Sequence, residues 1–470
     1  MSYRKITAAD LEVFAAIVGR AYVLTDGEAL KKAASDETED LEYMPEAVIK
    51  PDTAEEISRI LAYCNEYIIP VTVRGAGTGL SGGALAVYGG VVLDMSRMNR
   101  ILNMDAQNFQ VTTEPGVITQ VLQEYVQEQG LFYPPDPSSR GSCFIGGNVA
   151  ENSGGPRAVK YGVVKDYVLN LEVVLASGEI IWTGANVLKN ATGYNLTQLV
   201  VGSEGTLGVV TKIVLRLIPA VQHNVLMLVP FRSAIDACTA VNEILLSGIT
   251  PSALEFMERQ AILLAMEYTG NTSLPLADAT EAQLLIELDG NDMHVLLQQS
   301  EQVTNVLGGF ETGEILFADS HEQKEALWAL RRKVGEAVKN HSVYKEEDTV
   351  VPRAELPQLL AKVKSIGAAY GFTSVCYGHA GDGNLHVNII KGNMSDDDWN
   401  SKLSIAIREL FAEVVKMGGT LSGEHGIGLV QKGYMNTAFN TTQLRLMKSI
   451  KNIFDPNDIL NPGKIFPDYL

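Results

Sequence analysis

Absences bound this 470-residue chain first. It has no CxxC pair. Its four cysteines, Cys64, Cys143, Cys238 and Cys376, lie far apart, which argues against a thiolate iron–sulfur cluster or a structural zinc knot within the chain. Scattered thiols suit a reducing compartment rather than a disulfide scaffold. No apolar run reaches the eighteen or so residues of a membrane span, and Met1-Ser2-Tyr3-Arg4-Lys5 leads into a polar helix rather than an apolar signal core. Basic charge is short: 37 Lys and Arg against 56 Asp and Glu give a formal charge of −19, which argues against nucleic acid or anionic membrane as partner. Repeats and low-complexity tracts are missing. The expectation is a cytoplasmic protein with no transmembrane segment.

What is present divides in two. The length is too great for one compact core, so two or three domains are expected. Thr7 to Asp10 reads as a capping box, and Thr53 caps an amphipathic helix with Ile57, Ile60, Leu61 and Cys64 on one face. Strands are expected at 47–49 and 68–73. From there to Pro219 the chain is β-rich and dense in glycine, with strands at 89–94, 108–113, 169–175, 179–183 and 208–217. A helix at 118–129 is the one clear interruption before Leu199. Past Pro219, strands at 225–229, 282–288 and 315–318 alternate with helices at 234–246, 294–307, 322–339 and 356–370, which suggests a sheet with helices on one face. Helices at 395–416 and 442–454 complete the pattern. It is α+β rather than regular βα alternation.

Three glycine-dense loops stand out. The first, Arg74-Gly75-Ala76-Gly77-Thr78-Gly79-Leu80-Ser81-Gly82-Gly83, holds a literal GxGxxG at Gly77, Gly79 and Gly82. It runs on toward a strand rather than opening a helix, so a Rossmann dinucleotide site is refused. Bare backbone N–H groups can still form an anion-binding nest. The second loop runs from Pro134 to Gly162 and the third from Gly202 to Gly208. Together they suggest one large ligand approached by backbone along its length; ordinary β-turns are the plainer alternative.

The chemistry-bearing stretch is Gly378-His379-Ala380-Gly381-Asp382-Gly383-Asn384-Leu385-His386-Val387-Asn388, with Ser422-Gly423-Glu424-His425-Gly426 as its partner. Two imidazoles flank a tight Asp-Gly turn, and a carboxylate and a third imidazole arrive as neighbours. Two His and one carboxylate are a common divalent-metal shell, and a spare His can act as a base. Buried structural histidines around a turn would give the same spacing, so the residues alone leave both readings open.

These motifs, in this order from about Pro45 to Pro467, resemble the PCMH-type FAD-binding flavoproteins of the vanillyl-alcohol-oxidase superfamily. They are most similar to the branch holding D-lactate dehydrogenase, D-2-hydroxyglutarate dehydrogenase and the flavin-bearing glycolate oxidase subunit. The resemblance implies an N-terminal helical segment at 1–44 and a PCMH-type FAD-binding domain at 45–220. It implies an α/β cap (substrate) domain with an antiparallel sheet at 221–420, and a C-terminal helical segment at 421–470 that completes the active site. It implies FAD, held without a covalent bond, at Arg74, Gly75, Ala76, Gly77, Thr78 and Gly79. Pro135, Asp136, Ser142, Gly146, Gly147, Asn152, Ser153, Gly155, Gly205, Thr206, Val209 and Asn461 would line the rest, with Cys143 the one thiol in these loops. It implies that His379, His386 and Glu424 ligate Zn²⁺ (or Mn²⁺ or Fe²⁺). His425 would be the base, and Arg331, Lys345 and Asn388 would contact substrate.

The activity so implied is oxidation of a D-2-hydroxy acid to the 2-oxo acid, with proton transfer to His425 and hydride transfer to flavin N5. Gly335 stands where some D-2-hydroxyglutarate enzymes carry a hydroxyl, which favours glycolate or D-lactate. An iron–sulfur subunit, an electron-transferring flavoprotein, or a quinone or cytochrome would accept the electrons, and a homodimer is left open. The competing readings are an O₂-using flavin oxidase of an alcohol or sugar, and a flavin-binding subunit of a larger electron-transfer complex.

Overall fold

The computed structural model describes residues 3–270 and 276–470, so the opening Met1-Ser2 lies outside the described residues. The chain forms two compact units. One comprises 1–154, 163–220 and 424–470; the other comprises 155–162 and 221–423.

Unit one is built around the helix Ala54–Tyr67. Thr53 caps it by accepting from the Glu56 N–H, and Ile57, Ile60, Leu61 and Cys64 are fully buried. The same core takes in Phe14, Val71, Val91, Val174 and Val209. The helix therefore packs against strands from two sheets. In the first sheet, Val91–Asp94 runs parallel to both Ala47–Ile49 and Val71–Arg74. The second is five-stranded and antiparallel, with Val209–Arg216 at its centre between Gln110–Thr113 and Val168–Val174. The strand expected at 68–73 starts only at Val71, because Ile68 closes the preceding helix in the left-handed region at φ 55°. The tail returns here: Val71 N–H donates to Ile459 O and Asn461 N–H to Val71 O, at 2.7 Å each.

One expected loop holds helices instead. Ile145–Glu151 and the short Ala158–Tyr161 are both helical, against the expectation that 118–129 would stand alone before Leu199. Glycine composition argued for a loop, but Gly146 is required by crowding rather than by turn geometry. An added Cβ there would stand 2.5 Å from Pro115 Cβ, and the Gly146 N–H donates to Pro115 O at 2.8 Å. Tertiary packing overrides weak helix propensity.

Unit two is an antiparallel sheet of strands β1 (His223–Phe231), β2 (Ala253–Glu258), β3 (Ala282–Gly290), β4 (Leu316–Phe317), β5 (Tyr344–Val350), β6 (Thr373–Gly378) and β7 (Asn384–Ile390), in the order β4-β1-β3-β2-β6-β7-β5. Helices cover both faces, not one. Arg259–Thr269, His321–Arg332 and Val334–His341 share a core with Leu226, Met257, Leu285, Val375 and Tyr377 on one face. Leu356–Tyr370 and Asp396–Lys416 line the other beside Val387 and Ile389. Strand burial gives the reason: β2 is buried at every position and β3 at all but its last. The helix expected at 322–339 breaks at Lys333, and Leu327 and Leu330 before the break and Val334 and Val338 after it enter the same core. The fold is α+β.

Candidate active site

In unit one the three glycine loops converge on the helix Ile145–Glu151. An added Cβ at Gly75 would lie 3.9 Å from Gly147 Cα, which joins the first loop to the second. The third loop is tied to the same helix by Gly202 N–H to Val149 O and Glu204 N–H to Ala150 O, each at 2.9 Å. Gly77 takes φ +74°, and the Arg74 guanidinium folds under it so closely that a Cβ would meet Nη2 at 2.2 Å. A Cβ at Gly79 or Gly147 would meet nothing within 4 Å, so these two positions border open space. That is room a cofactor can use.

The other expected cofactor residues divide by task. Asn152 closes the helix in the left-handed region at φ 54°, and its Oδ1 accepts from the Lys165 N–H. Ser153 O accepts from the Val164 N–H. Pro135 O accepts from Gln123, Asp136 is buried, and the exposed Ser142 donates to Ser139 O. Thr206 bonds Ser203 O, and Val209 begins its strand within the core. Asn461 is fully engaged: its Nδ2 donates to Gly83 O and Glu204 O, and its Oδ1 accepts from Lys464. It therefore acts as a strut between the first and third loops. Cys143 is buried with Sγ 3.3 Å from Thr119 Oγ1. Gly155 falls in unit two.

Glu424 and His425 are the first residues of the returning segment of unit one. Glu204 pins the residues just beyond them, accepting from the Ile427 N–H at 2.8 Å and the Gly428 N–H at 2.6 Å. Gly154 explains itself here, since an added Cβ would stand 3.0 Å from Glu424 Oε2. Burial pushes Glu151 well above the usual carboxylate range and the Lys464 amine down to about 8.

Unit two carries the imidazoles. His379 comes directly after β6 and His386 lies within β7, each 4% exposed, with ring centroids 5.4 Å apart and edge to face. The short turn Ala380–Asp382 joins them, with Gly383 at φ +77°, where a Cβ would collide with Val351 O at 2.0 Å. His379 Nδ1 lies 2.8 and 2.9 Å from the two oxygens of Glu255. Glu255 Oε2 in turn lies 2.6 Å from Arg331 Nη2. Burial alone would raise the Glu255 carboxyl, but His379 and Arg331 hold it below its ordinary value. Arg331 sits over the Tyr377 ring at 5.0 Å, and Tyr377 stacks on His386 at 5.1 Å. Glu346 Oε1 is 3.4 Å from His386 Nδ1 and 3.3 Å from the Tyr377 hydroxyl.

Sequence reasoning missed Glu255 because the strand 253–258 was not read. Its signal was there: a single carboxylate inside Ala253-Leu254-Glu255-Phe256-Met257. Lys345 is the correction. Register pairs Glu346 with Asn388 and Asp348 with His386, whereas Lys345 pairs with Ile389. Strand alternation therefore turns Lys345 to the opposite face, away from the imidazoles. Asn388 stays on the imidazole face, fully buried, with neither amide atom in a well-formed hydrogen bond among the described residues. A side chain at Gly335 would press on the Tyr377 hydroxyl at 3.0 Å.

Comparison with known proteins places these features. Residues 45–184 match an FAD binding domain, and residues 220–465 match the C-terminal domain of FAD linked oxidases. The chain is 37% identical over 468 residues to a D-lactate dehydrogenase of Anaerostipes hadrus, covering 98% of each. It is 39% identical over 434 residues to glycolate oxidase subunit GlcD of Bacillus subtilis, covering 92% of this chain and 91% of that one. A solved structure of p-cresol methylhydroxylase with bound substrate has the same fold at TM-score 0.81 and 19% identity, covering 99% of each chain.

Proposed function

The chain belongs to the FAD-linked oxidases, and from that premise we propose that it oxidises a short D-2-hydroxy acid to the 2-oxo acid, using FAD and a divalent cation. Glycolate and D-lactate are favoured over D-2-hydroxyglutarate. One observation carries the reading: a fully buried carboxylate, Glu255, gripped at once by His379 and Arg331. Its two partners are a proposed metal ligand and the proposed anchor of the substrate carboxylate.

The donor set fits a metal. With Nδ1 engaged by Glu255, His379 offers Nε2 to Zn²⁺, Mn²⁺ or Fe²⁺, and His386 supplies a second imidazole. Glu424 is the proposed carboxylate ligand. It stands one peptide bond after Gly423, and the Gly423 N–H and Ser422 hydroxyl are held by the Asp348 carboxylate at 2.8 and 2.9 Å. In unit one the open positions Gly79 and Gly147 support FAD, and the inward-turned Cys143 supports non-covalent attachment.

FAD held in unit one would supply the hydride acceptor for Cα–H, and a divalent cation held by His379, His386 and Glu424 would supply a Lewis acid for the neighbouring hydroxyl. The rest falls to side chains of the chain. Arg331, whose Nε has no hydrogen-bond partner among the described residues, grips the carboxylate as a fork. The Asn388 amide offers a donor and an acceptor to the bound acid. His425, neutral, takes the hydroxyl proton. With Lys345 on the other face and Gly335 backed by Tyr377, a second carboxylate would lack its cation, which supports a monocarboxylate. Electrons then pass to an external acceptor, an iron–sulfur subunit, an electron-transferring flavoprotein, a quinone or a cytochrome. No described helix is long and apolar enough to cross a membrane. The four buried free thiols support a cytoplasmic setting.

Metal removal tests the reading. Dialysis against a chelator that leaves FAD bound is expected to abolish dye-linked turnover, and Zn²⁺ or Mn²⁺ to restore it. Turnover untouched by chelation would overturn the reading in favour of an O₂-using flavin oxidase.

A further inference from the structure

We propose that Glu255 is a positioning residue: it couples the imidazole at the metal to the guanidinium at the substrate carboxylate, so that the two sites are set together. The inference rests on the metal reading above. Every residue in the argument lies in unit two.

Glu255 is fully buried within β2, a strand closed on both faces. A carboxylate there is costly unless paired and hydrogen-bonded. Simple charge balance for Arg331 would need one oxygen turned to the guanidinium. Instead both oxygens also stand within 2.9 Å of His379 Nδ1, and Oε2 is shared with Arg331 Nη2.

Two consequences arise. Nδ1 of His379 faces both oxygens of Glu255, at 2.8 and 2.9 Å, so Nε2 is the ring nitrogen that the inference assigns to the cation. Arg331 is likewise pinned at one nitrogen while its plane rests over Tyr377. Tyr377 stacks on His386, and His386 meets His379 edge to face. The contacts thus close a ring, His379–Glu255–Arg331–Tyr377–His386, in which Glu255 joins His379 to the guanidinium by polar contacts and Tyr377 joins His386 to it by ring contacts. Glutamine has the shape but not the chemistry. Its one oxygen can serve His379 or Arg331, and its amide N–H₂ must then face a donor.

The test uses the FAD holoenzyme and its Glu255→Gln and Glu255→Asp variants, with FAD absorbance and circular dichroism as folding controls. Zn²⁺ affinity is measured by competition with a chromophoric chelator. Pyruvate affinity, a non-reacting 2-oxo-acid probe, is read from perturbation of the flavin spectrum. Glu255→Gln is expected to weaken Zn²⁺ binding roughly 10- to 100-fold, the usual effect of removing the carboxylate behind a ligating imidazole, and to weaken pyruvate as well. Glu255→Asp keeps the charge one methylene short and is expected to lie between. Zn²⁺ affinity equal to wild type in a folded Glu255→Gln protein would overturn the inference. Should Glu255→Gln not keep FAD, equal affinity in Glu255→Asp would do so. A wild-type protein that takes up neither Zn²⁺ nor Mn²⁺ would overturn the metal reading, and this inference with it.

Discussion

Replacing Arg331 by lysine keeps the charge and removes the fork. Arg331 is 3% exposed, ion-paired to Glu255 at 2.6 Å and stacked over Tyr377 at 5.0 Å. An ammonium at this position has one charged group, and Glu255 claims it, so the substrate carboxylate loses its parallel N–H donors. Hydrogen bonds to a charged group contribute about 1.5–3 kcal/mol. At about 1.4 kcal/mol per tenfold, kcat/KM is expected to fall about 10- to 150-fold. The loss should appear mainly in KM, because the carboxylate is held alike before and during reaction. Leucine would be the poorer choice: it strands the buried Glu255, at a cost of about 3–5 kcal/mol of stability. The assay is anaerobic dye reduction with glycolate and D-lactate, with Lys345→Ala as the control from the opposite face. Unchanged kcat/KM in Arg331→Lys, or a larger loss in Lys345→Ala, would refute the reasoning.

Gly146→Ala and Gly147→Ala should part company. At Gly146 the new methyl meets Pro115 at 2.5 Å, and overpacking of this kind costs about 1–3 kcal/mol, lowering the melting temperature by several degrees. At Gly147 it meets nothing within 4 Å, so the apoprotein should melt as before while FAD, tracked by its fluorescence, binds more weakly; equal behaviour of the two variants would count against the cradle. His425→Asn should lower kcat about 10²- to 10⁴-fold while FAD and Zn²⁺ contents stay at wild-type levels, and a wild-type kcat would remove it as the base. Asp10 is held far below the usual carboxylate range: burial opposes this, and hydrogen bonds from Arg4, Tyr63 and Thr7 overcome it. A lowered folded-state pKa gives stability that is present above the unfolded value and lost as pH falls through the folded one. Asp10→Asn should therefore melt lower at neutral pH, with the deficit narrowing below about pH 4; a deficit constant with pH would contradict the linkage.

Elements with strong local signals were legible in the sequence. The helix Ala54–Tyr67 announced itself through Thr53 and one apolar face, and Ala234–Leu246 and Asp396–Lys416 fall within a residue of their expected bounds. The glycine loops were legible as a group, but not the reason for each glycine. Gly146 answers to Pro115 and Gly154 to Glu424, contacts that no local pattern encodes. In the site, His379 and His386 were visible because a tight turn holds them near one another in sequence. Glu255 was not, because it reaches His379 across 124 residues from a strand whose all-buried pattern hides its period. Lys345 misled because a motif gives a residue but not its face. One residue of register separates it from the imidazoles.

The central claim is that a short 2-hydroxy acid delivers its electrons to FAD on this chain. Anaerobic mixing of the metal-loaded holoenzyme with glycolate, D- and L-lactate, and D- and L-2-hydroxyglutarate tests it directly. The account predicts bleaching of the flavin absorbance by glycolate or D-lactate, little by L-lactate, slower bleaching by D-2-hydroxyglutarate, and none after chelation. Flavin that stays oxidised with all five acids would contradict it.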